Sequence, residues 1–189
     1  MIDYKTDLKD YLDREIKVIQ SLDLDSINAV MNVLEDAKAR HKTTYICGNG
    51  GSAATASHFV CDFNKGLNDE ASQFKFQCLS DNTPIMMAIS NDIGYDEVFR
   101  YQIKGRIEEG DILFGISGSG NSINVINAMD HAKSIGAKTI ALVGFDGGKM
   151  KKIADYCIHV NINDMQISED VHMIMDHLMM YVLSHGQNC

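Results

Sequence analysis

The sequence has 189 residues, of which 45% are hydrophobic, and a formal net charge of −9 from 26 acidic and 17 basic residues. This length and composition predict one globular domain with a sizeable core and exclude an intrinsically disordered chain. The acidic balance argues against a nucleic-acid or anionic-membrane partner, although backbone amides can still bind a phosphate group without lysines.

The predicted elements begin with two helices in residues 1–41, where apolar residues recur at helical spacing. Short β-rich runs follow at 43–47, 74–79, 111–117, 138–144 and 156–160. Helical patterns lie between or after them at 52–63, 123–135 and 168–184. Strands that alternate with helices predict an α/β fold, with a parallel sheet between two layers of helices. Pro84 is the only proline, so no Pro-rich linker divides the chain.

The cysteine pattern predicts reduced thiols in a cytoplasmic protein. The count is odd, no CxxC pair occurs and no secretory signal precedes the cysteines, which are Cys47, Cys61, Cys78, Cys157 and Cys189. No apolar run reaches the roughly 18 residues that a membrane span requires, so we expect no membrane association.

Two glycine- and serine-rich loops follow predicted strands, where ligands bind in sheets of this kind. In GISGSGNS (115–122), glycines allow close backbone approach, while Ser117, Ser119 and Ser122 offer hydroxyl groups. The helix that follows adds free amides and the positive end of its dipole, which predicts a phosphate cradle. A serine-rich helix cap with a glycine turn is the alternative. The loop in CGNGGSAATASHF (47–59) has the same construction, and the pair favours phosphate binding.

Polar residues at helical spacing form a second candidate site. His58 and Asp62 are four residues apart on one predicted helix, and Glu169 and His177 lie about two turns apart on the last one. His172 and Asp176 complete a polar cluster on that last helix. Two histidines and two carboxylates are sufficient ligands for a divalent metal such as zinc. A surface His–Asp hydrogen bond and a buried core histidine are the alternatives.

The sequence resembles the sugar isomerase (SIS) domain family and, within it, the phosphoheptose isomerases. The matching segments are GNGGSAA…HF at 48–59, SNDIGYDEVF at 90–99, GISGSGNSINVINAMDHAKSIGAKTIAL at 115–142 and DVHMIMDH at 170–177. The resemblance implies a single SIS domain over 1–189, a three-layer α/β/α sandwich of flavodoxin-like type. Residues 1–41 would be helices for assembly into a homotetramer, and 42–189 would carry the sheet and the active site.

The resemblance also implies roles for individual residues. The family's zinc ligands fall at His58, Asp62, Glu169 and His177, and its acid–base pair at Asp62 and His177. The family has Glu at 62, Gln at 169 and Asp at 166, where this chain has Asp62, Glu169 and Gln166. The expected substrate contacts are Asn49, Gly50, Ser52, Asn91, Asp92, Ser117, Gly118, Ser119, Ser122, Gln166 and Glu169.

The function implied is an aldose–ketose isomerase that converts sedoheptulose 7-phosphate to D-glycero-D-manno-heptose 7-phosphate for lipopolysaccharide or capsule precursors. The changes at 62, 166 and 169 leave isomerisation of another sugar phosphate as an alternative. A non-catalytic SIS protein that binds the bacterial replication initiator is the other. Keeping metal-competent residues at all four positions favours the enzyme.

Overall fold

A computed structural model describes residues 2–67 and 73–185, so Cys189 lies outside the described residues. Five strands are present: β1 (Thr44–Cys47), β2 (Phe76–Cys78), β3 (Ile112–Ser117), β4 (Lys138–Val143) and β5 (Tyr156–His159). The eight α-helices of these segments are α1 (Lys5–Gln20), α2 (Leu24–Ala39), α3 (Gly51–Cys61), α4 (Thr83–Asp92), α5 (Val98–Ile103), α6 (Ile123–Ile135), α7 (Gly148–Ile153) and α8 (Met165–His185).

The strands form one parallel sheet in the order β2-β1-β3-β4-β5. This order is that of flavodoxin-like folds, in which ligands bind where the strand order reverses, here beside β1 and β3. All six residues of β3 are buried because helices cover both faces of the sheet. The α/β sandwich predicted from the alternating pattern is therefore confirmed.

Two hydrophobic clusters fill the space on either side of the sheet. Successive strand residues alternate between them, so that Ile46 packs on one side and Tyr45 on the other. The first cluster contains buried residues of α2, α3 and α8, and the second contains those of α5, α6 and α7. The candidate site helices α3 and α8 therefore share one layer, where they pack against each other.

The turns at the two candidate loops depend on glycine. Gly120 has φ +65°, and a Cβ atom there would lie 2.1 Å from the carbonyl oxygen of Gly147. Only glycine can therefore bring the β3–α6 loop this close to the loop that follows β4. At the other end of α6, Gly136 adopts the left-handed conformation that ends the helix.

The first helix is the least buried of the long helices. Only Val18 of α1 is buried. An apolar stripe that faces solvent is formed by Leu8, Leu12 and Ile16. α1 lies against α8, with hydrogen bonds from Tyr11 to Asp170 and from Arg14 to Asp164. Among the described residues, no helix combines the length and the apolar character that crossing a membrane requires.

Candidate active site

The β3–α6 loop and the start of α3 enclose a small cavity of about 180 Å³ at the carboxyl edge of the sheet. Its lining consists of Asn49, Ser52, Ile116, Ser117, Gly118, Ser119, Ser122, Met165 and Glu169. The two loops predicted to bind phosphate therefore meet around one cavity. The N-terminal ends of α3 and α6 are both beside it, and their free amides favour an anion there.

Hydrogen bonds within the β3–α6 loop fix the serine side chains before any ligand binds. The hydroxyl oxygens of Ser117 and Ser122 lie 3.0 Å apart, and the Gly120 amide donates to the Ser117 hydroxyl at 3.2 Å. Ser119 accepts from the amide of Asn121 at 3.2 Å. Each hydroxyl keeps further hydrogen-bonding capacity, because a serine hydroxyl has one donor and two acceptor positions.

A pair of asparagines joins the two loops. Asn49 and Asn124 exchange side-chain amide hydrogen bonds of 3.0 and 2.9 Å, and the Tyr95 hydroxyl donates to the same Asn49 oxygen at 2.7 Å. Asn124 is buried, and its role is absent from the sequence prediction. The sequence signal is a polar residue in the first turn of α6, between Ile123 and Val125.

Four metal-competent side chains converge where α3 packs against α8. One ligand atom from each of His58, Asp62, Asp176 and His177 lies within 4.8 Å of the other three. The Nε2 atoms of His58 and His177 are 3.0 Å apart, and His58 Nε2 lies 3.6 Å from an Asp62 carboxylate oxygen. We call these four residues the His/Asp cluster.

A local irregularity of α3 sets the position of Asp62. The helix passes into a π-helical turn at Asp62–Gly66, of a kind that often occurs at functional sites. The Asn64 side chain holds this turn against the edge strand by hydrogen bonds of 2.9 Å to both backbone groups of Phe76. The Asp62 side chain remains about 19% exposed, open to a ligand in the adjoining solvent.

Asp176 differs from the other members of the cluster because it is completely buried. Within residues 2–67 and 73–185, neither of its carboxylate oxygens has a hydrogen-bond partner. Burial, together with the negative charge of Asp62, raises the pKa of Asp176 to about 7. One turn earlier, burial lowers the pKa of His172 to about 4, against a smaller opposing effect from the Val143 backbone.

The His/Asp cluster fits a divalent metal. Four ligands about 2.1 Å from a zinc ion stand about 3.4 Å apart at tetrahedral corners. The contacts of His58 Nε2 to His177, Asp62 and Asp176, at 3.0, 3.6 and 3.9 Å, bracket that spacing. The unpartnered oxygens of Asp176 supply a further reason, because buried carboxylates are ordinarily paired or bound to a metal.

The other predicted residues are distributed around these two features. Glu169 lies outside the His/Asp cluster, since its carboxylate stands over Gly51 at the wall of the cavity. Gln166 is exposed one turn earlier on α8. Asn91 and Asp92 are also exposed; Asn91 lines a separate cavity of about 620 Å³ and donates to Asp92 at 2.8 Å.

α8 connects the cavity with the His/Asp cluster. Glu169, His172 and Asp176 lie along one stripe of the helix, because positions i, i+3 and i+7 share a face. Glu169 lines the cavity and Asp176 belongs to the cluster. At about 1.5 Å per residue, these two positions are about 10.5 Å apart along the helix axis.

Comparison with known proteins identifies the group to which this chain belongs. The SIS domain family matches residues 7–144. The phosphoheptose isomerase of Helicobacter pylori (strain Shi470) is 36% identical over 171 residues, which cover 90% of this chain and 87% of that protein. The phosphoheptose isomerase of Aliarcobacter butzleri (strain RM4018) is 38% identical over 169 residues, 89% of each chain. The chain belongs to the phosphoheptose isomerase family.

A solved phosphoheptose isomerase structure agrees with this placement. The enzyme from Neisseria gonorrhoeae superposes with a TM-score of 0.89 at 28% identity, covering 96% of this chain and 99% of that chain. The phosphoheptose isomerase resemblance inferred from the motifs is thereby confirmed, together with the fold.

Proposed function

We propose that the chain is an aldose–ketose isomerase that interconverts sedoheptulose 7-phosphate and D-glycero-D-manno-heptose 7-phosphate. Membership of the phosphoheptose isomerase family supports the reaction. The observation that carries the proposal is the presence of an anion cavity and a His/Asp cluster on the same stripe of α8. A sugar phosphate needs both features, one for its phosphate group and one for its reacting carbons. The product would serve surface polysaccharide synthesis.

The phosphate group is bound in the cavity by hydroxyl groups and backbone amides. Ser52, Ser117, Ser119 and Ser122 surround the cavity. Hydrogen bonds to a charged group are worth about 1.5–3 kcal/mol each, so a few of them hold a phosphate without a lysine. Asn49 and Gly118 contribute to the wall of the same cavity, whereas Gly50, also predicted as a substrate contact, precedes α3 at its N-cap and is not part of the lining.

The isomerisation moves one proton from C1 of the ketose to C2, through an enediol, while a hydroxyl proton moves from O1 to O2. Asp62 takes the carbon-bound proton and returns it, because its carboxylate is the carboxylate of the His/Asp cluster that is partly open to solvent. The exposed imidazole ring of His177 transfers the hydroxyl proton, which it accepts from O1 of the substrate and donates to O2. Both residues were predicted for these roles from the family resemblance.

His58, Asp62 and His177, which are predicted ligands within the His/Asp cluster, would hold one zinc or another divalent ion. When bound, the ion would polarise the substrate carbonyl as a Lewis acid. Asp62 has two proposed roles, as a ligand of the metal and as the base in the proton transfer. Metal binding makes the Asp62 carboxylate a weaker base. Metal ligation and proton acceptance by Asp62 therefore compete.

The enzyme is proposed to be a homotetramer assembled through residues 1–41. Leu8, Leu12 and Ile16 are 62%, 56% and 51% exposed, and they form a continuous apolar stripe along α1. A second copy of the chain is the proposed occupant of this stripe. A cytoplasmic location is proposed as well, since Cys47, Cys61, Cys78 and Cys157 are all free thiols.

The test is direct conversion of sedoheptulose 7-phosphate, followed by NMR of the heptose product, with ribose 5-phosphate and glucosamine 6-phosphate as competing substrates. Turnover of sedoheptulose 7-phosphate above the other two is expected. Asp62→Asn is the inactive control, because it removes the proton acceptor at little steric cost and should leave binding largely intact. Preference for another sugar phosphate would show that the assigned substrate is wrong. Binding of sugar phosphate without any turnover would favour a non-catalytic protein.

A further inference from the structure

Asp176 is the most deeply placed member of the His/Asp cluster, with a side chain that is 0% exposed. In the segments that the structure describes, its two oxygens have no hydrogen-bond donor and no lysine or arginine nitrogen within 4.0 Å. An imidazole nitrogen, Nε2 of His58, lies 3.9 Å from one of these oxygens. A charged carboxylate in such surroundings is strongly unfavourable unless it takes up a proton or a cation binds it, and the nearby side chains of His58, Asp62 and His177 provide further ligand atoms for a cation.

Glu169, the predicted fourth metal ligand, occupies a different place. A Cβ atom added to Gly51 would lie 2.4 Å from a Glu169 carboxylate oxygen, so this carboxylate is held against the first turn of α3. It lines the anion cavity together with Ser52 and Ser119. About 10.5 Å of helix separates its position from that of Asp176, and Glu169 is not among the residues whose ligand atoms lie within 4.8 Å of one another.

We infer that Asp176 is the fourth protein ligand of the metal in this chain, and that Glu169 is a substrate-contacting residue and not a ligand. The inference rests on the metal site of the proposed function and assigns its ligands. His58 and His177 then supply two imidazole nitrogens, while Asp62 and Asp176 supply one carboxylate each.

This division of roles accounts for the charges in both places. Two carboxylates and two neutral imidazoles balance a dication, which removes the electrostatic cost of burying Asp176. Glu169 in the cavity is left to accept hydrogen bonds from sugar hydroxyl groups. In the family a glutamine is expected at position 169, and both side chains can accept such bonds through an oxygen.

The test measures metal binding and not turnover. Metal-free protein is titrated with Zn²⁺ against a chromophoric chelator, and with Co²⁺ by its visible absorption, which reports tetrahedral coordination. Asp176→Asn should weaken Zn²⁺ binding at least tenfold, since loss of even an outer-shell partner costs about 10–100-fold in metal affinity. Glu169→Ala, which removes every ligand atom at this position, should leave Zn²⁺ affinity and the Co²⁺ spectrum unchanged, and Asp62→Asn is the positive control for loss of a ligand.

The outcomes separate this inference from the reaction. Unchanged Zn²⁺ affinity in Asp176→Asn, loss of affinity in Glu169→Ala, or no metal binding by the wild-type protein would each overturn it. Failure of sedoheptulose 7-phosphate turnover, with metal binding weakened in Asp176→Asn and Asp62→Asn and retained in Glu169→Ala, would overturn the reaction and leave the ligand assignment standing. Circular dichroism of each metal-free variant checks folding, and Asp176→Ser repeats the test in a smaller side chain if Asp176→Asn unfolds.

Discussion

The Nε2 atom of His58 lies 3.0 Å from the Nε2 atom of His177, although 119 residues separate the two in the chain. Their rings meet edge to face, with centroids 5.1 Å apart. At this distance one nitrogen carries a hydrogen and the other accepts it, or both turn lone pairs towards a shared cation. The second arrangement uses the neighbouring carboxylates of Asp62 and Asp176 as well.

Removing the metal tests this arrangement in the wild-type enzyme. Dialysis against a chelator should lower sedoheptulose 7-phosphate turnover, because the cluster would lose the ion proposed to polarise the carbonyl. Adding back one equivalent of Zn²⁺ per subunit should restore it, and Mg²⁺, which prefers oxygen ligands, should restore less. Full turnover by protein shown to be metal-free by elemental analysis would contradict the proposal.

Asp62→Glu tests whether the shorter carboxylate suits this enzyme's own substrate. The variant restores the residue expected in the family and moves the carboxylate forward by one methylene, about 1.5 Å. If sedoheptulose 7-phosphate is the native substrate, kcat/KM should be retained or raised. Loss of a stronger native activity towards another sugar phosphate would show instead that Asp62 is fitted to that sugar.

The double variant Ser119→Ala/Ser122→Ala should weaken sugar-phosphate binding more than tenfold, because each lost hydrogen bond to a charged group costs about 1.5–3 kcal/mol. Isothermal titration of the catalytically inactive Asp62→Asn background would measure it. Ser134→Ala is the matched control, because Ser134 lies at the far end of α6 and donates to its own helix. Equal affinities of the double variant and the control for the sugar phosphate would show that this loop does not bind the phosphate group.

Introducing negative charge on the apolar stripe of α1 tests the proposed assembly. Leu12→Glu/Ile16→Glu places two carboxylates on the exposed apolar stripe, so the proposed tetramer should dissociate. Light scattering should then fall from four times 21.0 kDa towards 21.0 kDa. Lys17→Glu, at an exposed position next to this stripe, controls for the change in charge. A wild-type monomer at micromolar concentration would contradict the proposed assembly outright.

The pKa of His172 predicts acid sensitivity. Burial holds the folded-state pKa near 4, below the ordinary 6.5, so the unfolded chain binds a proton in this range and the folded chain does not. The contribution of His172 is present above about 6.5 and is lost as the pH falls to about 4. His172→Gln should therefore reduce the loss of unfolding free energy across this window, as measured by urea titrations at each pH. In the metal-free protein, the raised pKa of Asp176 acts in the opposite direction.

Much of this arrangement could be predicted from sequence, because the relevant signals are local. The β-rich runs at 43–47 and 111–117 correspond to β1 and β3, and the glycine turns after them border one cavity. Periodicity did not predict α4, α5 or α7, since the last two have only six residues each and α4 carries a weak apolar stripe.

The metal ligands proposed on α8 could not all be predicted from local sequence signals. Spacing on α8 pairs Glu169 with His177, but it does not say which carboxylate faces α3. That depends on the rotation of α8 about its axis, which is set by packing against α3 and the sheet. Asp176 could be placed in a polar cluster from sequence, and only the packed structure shows that its oxygens are buried without partners. The Asn49–Asn124 pair, 75 residues apart, is hidden for the same reason.

The stripe along α8 also has a consequence for which molecules fit. The chain from C1 to the phosphorus atom of a heptose 7-phosphate has eight bonds and extends about 10 Å, at about 1.3 Å per bond. This length matches the roughly 10.5 Å of helix between Glu169 and Asp176. A triose phosphate anchored in the same cavity would extend only about 5 Å by the same measure and would stop short of His177. In the proposed binding mode, we therefore expect this helix to favour long sugar phosphates over short ones.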